Sequence, residues 1–265
     1  MRLIYPAFVL LLVLMMSAQC QQTAEDWFNK GVALSDQGKY DEAIKAYDEA
    51  IIRLDPNDPH LVVIWNSKGN ALGKQGKLDE AIKAYGGAIR LDPTYVAIWN
   101  NKGNALCEQG KYDEAIKAYD EAIRLDSNLA QAWSNKGDAL RRQGKYDEAI
   151  KAFDEAIRLD PNYAKAWTNK GLALFGQGKH DEAIKAHDEA IRLDPNYAEA
   201  WNNKGSALGM QGKLDEAIKA FDEAIMLDPK NAMAWYNKGV ALKYLGRTLE
   251  ADAAFTKAKE LGYEG

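Results

Sequence analysis

Residues 130–163 carry two runs of apolar and small positions at helical spacing, one after the other. Ala132, Trp133, Gly137 and Leu140, with Lys136 beside them, predict a first helix over 130–143. Gly144-Lys145 interrupts the pattern. Ala149, Ile150, Phe153, Ala156 and Ile157 then predict a second helix over 146–159. Asp160-Pro161 ends it, because the residue before a proline is pushed out of the helical region. Gly137 and Ala149 are small where the two helices must pass close together, and Trp133 and Phe153 fill the gaps on either side. The polar positions form the opposite face. In 113–124, Asp113 and Glu114 stand three or four residues before Lys117, which precedes Asp120, Glu121 and Arg124. Such pairs add about 0.2 to 0.5 kcal/mol each to a helix and suit a solvated outer surface.

The same pattern returns at a fixed period. Trp65, Trp99, Trp133, Trp167, Trp201 and Trp235 are each 34 residues apart, and Trp27 lies 38 before Trp65. Four residues after each tryptophan comes a glycine, as at Gly31, Gly69, Gly103 and Gly137, and sixteen after it an alanine, as at Ala43, Ala81 and Ala115. Four further on stands Tyr47, Tyr85, Tyr119, Phe153, His187, Phe221 or Phe255. Seven units of 34 plus four extra residues make 242, the length from Ala24 to Gly265. The repeats fall at 24–61, 62–95, 96–129, 130–163, 164–197, 198–231 and 232–265. One such unit cannot bury its apolar side alone, so an all-α stack of helix pairs is expected.

Trp, Gly, Tyr or Phe, and Pro at 34-residue spacing resemble the tetratricopeptide repeat family over residues 24–265. The resemblance implies a right-handed superhelix, a solenoid whose first helices line an inner groove, and a non-catalytic scaffold that binds other proteins. One departure recurs: Lys30, Lys68, Lys102, Lys136, Lys170, Lys204 and Lys238 stand where the family often has an aliphatic residue. A lysine stem covers apolar surface while its ammonium reaches water or a carboxylate.

Residues 1–20 differ from the rest. Arg2 precedes an apolar stretch over 3–16, then small and polar residues from Ser17. Fourteen apolar residues fit the core of an export signal, whereas a spanning helix needs about 20. Removal after Ala18 or Cys20, lipidation of Cys20, and retention as a short membrane anchor all stand as readings. Each places the protein outside the cytoplasm, secreted or tethered by this segment. Loss of 1–20 removes Arg2 and no acid, so the net charge goes from -5 to -5 - 1 = -6. No basic footprint for nucleic acid is present.

The candidate binding residues lie on the first helices. Asn29, Asn101, Asn135, Asn169, Asn203 and Asn237, with Ser67, stand two residues after each tryptophan. An asparagine amide both donates and accepts, so it can pair with an extended peptide backbone whatever its side chains. This arrangement resembles the asparagine ladder in the superhelical domain of O-linked N-acetylglucosaminyl transferases. The alternative is that these amides bond between neighbouring helices. Asn66, Asn70, Asn100, Asn104, Ser134 and Asp138 make the surroundings polar, Arg141 and Arg142 add charge, and Phe28, Phe175 and Tyr236 add apolar contacts. The carboxylate clamp of some relatives needs lysine directly after the tryptophan and arginine at a ladder position, and neither is present. No cofactor or metal is expected: His180 and His187 replace packing aromatics, and Cys107 has no histidine in its repeat to activate it.

Three irregularities interrupt the repeats. Asp252 and Lys259 replace isoleucines of earlier repeats, so an eighth repeat docking there would bury charge. Four residues are inserted within 51–64, and the N-terminal repeat starts too near the export segment to leave room for another domain. Gly86-Gly87 replaces the usual Asp-Glu in mid-helix at about 1 kcal/mol each, which marks this joint as the softest. The expected protein is an exported scaffold that holds a partner polypeptide in its groove. Self-association into an envelope assembly is the alternative.

Overall fold

The structure, a computed structural model, describes residues 22–264. The export segment and Cys20 lie outside the described residues. Among those residues there are fourteen helices, in pairs: α1 Ala24–Asp36, α2 Tyr40–Ile51, α3 His60–Lys74, α4 Leu78–Leu91, α5 Val96–Glu108, α6 Tyr112–Leu125, α7 Ala130–Arg142, α8 Tyr146–Leu159, α9 Ala164–Gly176, α10 His180–Leu193, α11 Ala198–Met210, α12 Leu214–Leu227, α13 Ala232–Tyr244 and α14 Thr248–Glu260. No described helix is long and apolar enough to cross a membrane. The expected all-α class and helix pairing are met, with α7 one residue shorter than the pattern predicts. The chain divides after Gly110 into two units, α1–α5 and α6–α14.

Local chemistry sets the helix limits. At the end of α7, Gly144 takes φ 76, a left-handed value that L side chains rarely adopt. That turn lets the Lys145 N–H reach the Leu140 carbonyl at 3.0 Å and sends the chain back along itself. Asp147 and Glu148 lie in the first turn of α8 and Arg158 in its last, each complementing the helix dipole. Beyond Leu159, Asp160 is extended before Pro161, and its carboxylate accepts from the Asn162 N–H at 3.0 Å.

Packing within a pair depends on one close approach. A Cβ placed on Gly137 would lie 2.7 Å from the Phe153 ring, so the ring fills the space a side chain would take. Leu140, Ala149, Ala152, Phe153 and Ala173 form a buried cluster, with Trp133 and Ile150 against its edge. Ile150 also packs on the next cluster, around Leu174 and Ala183, which is how one repeat buries its neighbour. Asp252, at the corresponding place in α14, is exposed, as is Lys259.

Two polar links recur at the joints between repeats. Gln143 donates to Asp113 at 2.8 Å, Gln177 to Asp147 at 2.7 Å and Gln211 to Asp181 at 2.7 Å in the second unit, and Gln109 to Asp79 at 2.9 Å in the first. The recurring lysine supplies the other link. Lys136 reaches Asp120 at 2.6 Å, Lys170 Asp154 at 2.6 Å, Lys204 Asp188 at 2.7 Å, Lys238 Asp222 at 2.6 Å and, in the first unit, Lys68 Asp48 at 2.5 Å. Each stem runs beside its own indole, with Lys136 Nζ 5.4 Å from the Trp133 ring. The ammonium therefore reaches a carboxylate on the preceding repeat, one of the two destinations open to it in the sequence.

Candidate functional site

Within each unit the first helices of successive repeats approach one another, α1 with α3 and α3 with α5, then α7 with α9, α9 with α11 and α11 with α13. The second helices make no such approach to each other. The first-helix face is therefore the closely spaced one, and the ladder residues lie on it.

In the first unit the amides meet. Asn101 Nδ2 donates to Asn66 Oδ1 and to Asn70 Oδ1, both at 3.2 Å. Asn70 Oδ1 also accepts from the Tyr85 hydroxyl at 2.8 Å. Burial, and then the Glu108 carboxylate, push that hydroxyl above its usual range, so it stays protonated as a donor. Asn100 is buried, Asn104 half-buried and Asn29 exposed. The second unit repeats the arrangement at its far end, where Asn237 Nδ2 donates to Asn202 Oδ1 at 3.1 Å. Asn202 Nδ2 in turn donates to Asn203 Oδ1 at 3.4 Å, and Asn203 Nδ2 is buried without a partner. Asn169 is buried and Asn135 half-buried. Asn101 and Asn237 thus bind the first helix of the preceding repeat through the donor a bound peptide would need.

Asp138, Arg141 and Arg142 form one cluster on α7. Asp138 accepts from Arg141 Nη2 at 2.7 Å and from Arg142 Nε at 2.8 Å. Burial raises the Asp138 carboxyl, but the hydrogen bonds and charges of the two arginines outweigh it and hold it below the usual carboxylate range. Asp138 is therefore ionised, and it neutralises part of the positive charge this face would otherwise present.

The face changes character toward α13. A cleft of about 210 Å³ is lined by Phe175, Met210, Val240 and Tyr244, with Ser206 and the ladder residue Asn237 supplying polar groups. Met210 is 64% exposed and Tyr244 78%. Sequence reasoning found Phe175 and Asn237 here and missed Met210, Val240 and Tyr244. The signal was available: Val240 and Tyr244 stand three and seven residues after Asn237, on the same helical face.

His187 is a packing residue. It is fully buried against Gly171, whose Cβ would lie 2.5 Å from the imidazole Cε1. Burial, with a smaller contribution from Lys204, lowers its pKa to about 4. His180 rests against Phe175 with ring centroids 5.1 Å apart. No group of three histidine, cysteine or carboxylate side chains placed to hold a metal occurs among the described residues.

Family models described as Tetratricopeptide repeat match residues 24–58, 94–162, 134–198, 168–232 and 202–262, and one described as TPR repeat matches 69–106. The chain belongs to the tetratricopeptide repeat family. That fold makes it a protein–protein interaction scaffold. No curated protein matches the sequence. Among solved structures, a tetratricopeptide repeat protein from Parabacteroides merdae ATCC 43184 aligns with TM-score 0.77 at 20% identity, over 92% of this chain and 95% of that one. MamA aligns with TM-score 0.55 at 31% identity, over 62% and 96%. YrrB, described as a TPR protein with an unusual peptide-binding site, aligns with TM-score 0.52 at 27% identity, over 69% and 94%.

Proposed function

We propose that this chain is an exported, non-catalytic scaffold whose first-helix face holds an extended segment of a partner polypeptide. The observation that carries the reading is the cleft lined by Phe175, Met210, Val240 and Tyr244, with Asn237 and Ser206 among them. Apolar walls take a side chain while amide and hydroxyl groups at the edge satisfy the backbone beside it. The peptide-binding site in YrrB's description lends support from a protein of the same fold. The apolar stretch over 3–16 supports export, and mass spectrometry of the mature N-terminus tests whether Cys20 is lost, lipidated or retained in an anchor.

The test is partner capture from the native envelope. Replacing Asn101, Asn135 and Asn169 with Ala, or Met210 with Asp, is expected to abolish capture while the melting curve shows that the variant is folded. Unchanged capture by all of these folded variants defeats the groove reading. Self-association has its own support in the exposed apolar side chains at the C-terminal end, Leu249 at 88% and Tyr244 among them. Concentration-dependent sedimentation that survives the groove substitutions would favour that second reading.

A further inference from the structure

The outer side of the second repeat differs from those of the third to fifth in a way that concerns binding. In the third to fifth repeats the second helix carries an Asp-Glu pair whose two carboxylates have fixed partners. Asp120 takes Lys136 of the next repeat and Glu121 takes Arg124 at 2.8 Å; Asp154 takes Lys170 and Glu155 takes Arg158 at 2.8 Å. In the second repeat both carboxylates are missing, because Gly86 and Gly87 occupy their places. The cations have stayed. By register, Lys102 corresponds to Lys136 and Arg90 to Arg124, and neither has a carboxylate partner among the described residues. Lys102 rests beside the Trp99 ring at 5.5 Å.

Gly87 also lies against an indole. A Cβ there would stand 3.3 Å from the Trp65 ring, so the ring packs against bare backbone where the first repeat and the third to sixth place a glutamate. The inserted residues act at the same place. Regular tryptophans donate to the loop six residues back, as Trp99 does to the Pro93 carbonyl at 2.9 Å, and Trp65 makes no such bond. Instead Ile52, Leu54 and Pro56 join Trp65, Leu91 and Arg90 around a cleft of about 530 Å³, with Ile52 72% exposed. The acids of the inserted loop are engaged locally: Asp55 accepts from the Asn57 N–H at 2.9 Å, and Asp58 from the His60 N–H at 2.9 Å.

We infer that this outer cleft is a second binding site, independent of the groove, for a partner segment with two adjacent carboxylates beside an aliphatic side chain. The partner's acids take the places vacated at 86 and 87, against Lys102 and Arg90, and its apolar side chain covers Trp65 between Ile52 and Leu91. Charge complementarity selects this occupant: the chain's own third to fifth repeats show which groups these cations accept, and Arg90 in the cleft wall, with Lys102 at the register position opposite residue 86, disfavours a neutral or basic segment.

The test uses the full-length chain and a fluorescein-labelled peptide Ser-Leu-Asp-Glu-Leu-Ser, with Ser-Leu-Asn-Gln-Leu-Ser as control, read by anisotropy at low salt. The acidic peptide is expected to bind at least tenfold more tightly than the control. The double variant Gly86→Asp/Gly87→Glu fills the site from within and should weaken binding at least tenfold. That variant removes two helix glycines, so its melting temperature should rise, and lost binding cannot be assigned to unfolding. Replacing Asn101, Asn135 and Asn169 with Ala should leave this binding unchanged, which separates the outer site from the groove. Equal binding of both peptides, no saturation of the acidic one, undiminished binding by the double variant, or loss on the ladder substitutions overturns the proposal.

Discussion

The joint between α6 and α7 and the joint between α4 and α5 use the same register of residues and reach different results. At the first, Lys136 is tied to Asp120, Trp133 donates to the Ser127 carbonyl at 3.1 Å, and Gln143 holds Asp113. At the second, Lys102 has lost its acid to Gly86, and Gly87 places no side chain on the indole of the same repeat, Trp65. The backbone is helical through both, since Gly86 and Gly87 lie inside Leu78–Leu91. Two side-chain deletions therefore change local stability and surface chemistry without changing the fold. A repeat protein tolerates this because each joint contributes its own nearest-neighbour energy.

The largest expected contrast concerns the indoles. Trp133→Ala should destabilise the protein by about 3 to 5 kcal/mol in denaturant unfolding. Trp65→Ala should fall short of that by about 1 kcal/mol or more, because Gly87 leaves part of its ring without a covering side chain. Equal losses would show that the missing side chain at Gly87 carries no energetic difference.

Next comes a weak point within the regular repeats. His187 has a folded pKa of about 4 against 6.5 unfolded, so the unfolded chain takes up the proton first as pH falls. Stability is full above pH 6.5 and declines toward pH 4 by about 3 kcal/mol from this group. His187→Phe restores the aromatic used in other repeats and should remove that part of the acid sensitivity. An unchanged slope between these pH values would exclude His187 as its source.

Gly86→Asp/Gly87→Glu should raise stability by about 1 to 2 kcal/mol, from helix propensity and restored ion pairs. In the wild type, amides over 79–91 should exchange faster than those over 147–159, and the double variant should narrow the gap. The smallest effect separates the lysines. Lys136→Met should cost about 0.5 kcal/mol through the lost pair with Asp120, and Lys102→Met should be neutral or slightly stabilising.

Most of the fold was legible because one pattern is written seven times. The helix pairs, the turn at Gly144, the packing of Phe153 on Gly137 and the substitution of His187 for an aromatic all follow from spacing and residue size. The helix-propensity cost of Gly86-Gly87 was legible in the sequence. Its second consequence was not, because Lys102 and Arg90 look like ordinary surface cations until the partners of their counterparts are seen. The ladder was half legible. Its periodicity was plain, but Asn101 was equally suited to a peptide or to Asn66 and Asn70.

The sequence by itself determined where each helix begins and ends, which side is buried, and that single repeats need neighbours, since these depend on spacing along one chain. Tertiary structure alone decided which carboxylate each lysine holds, where the Asn101 and Asn237 donors go, and that the inserted residues and Gly87 meet around Trp65. The physical reason is that hydrogen bonds and ion pairs depend on separations of about 3 Å between groups tens of residues apart.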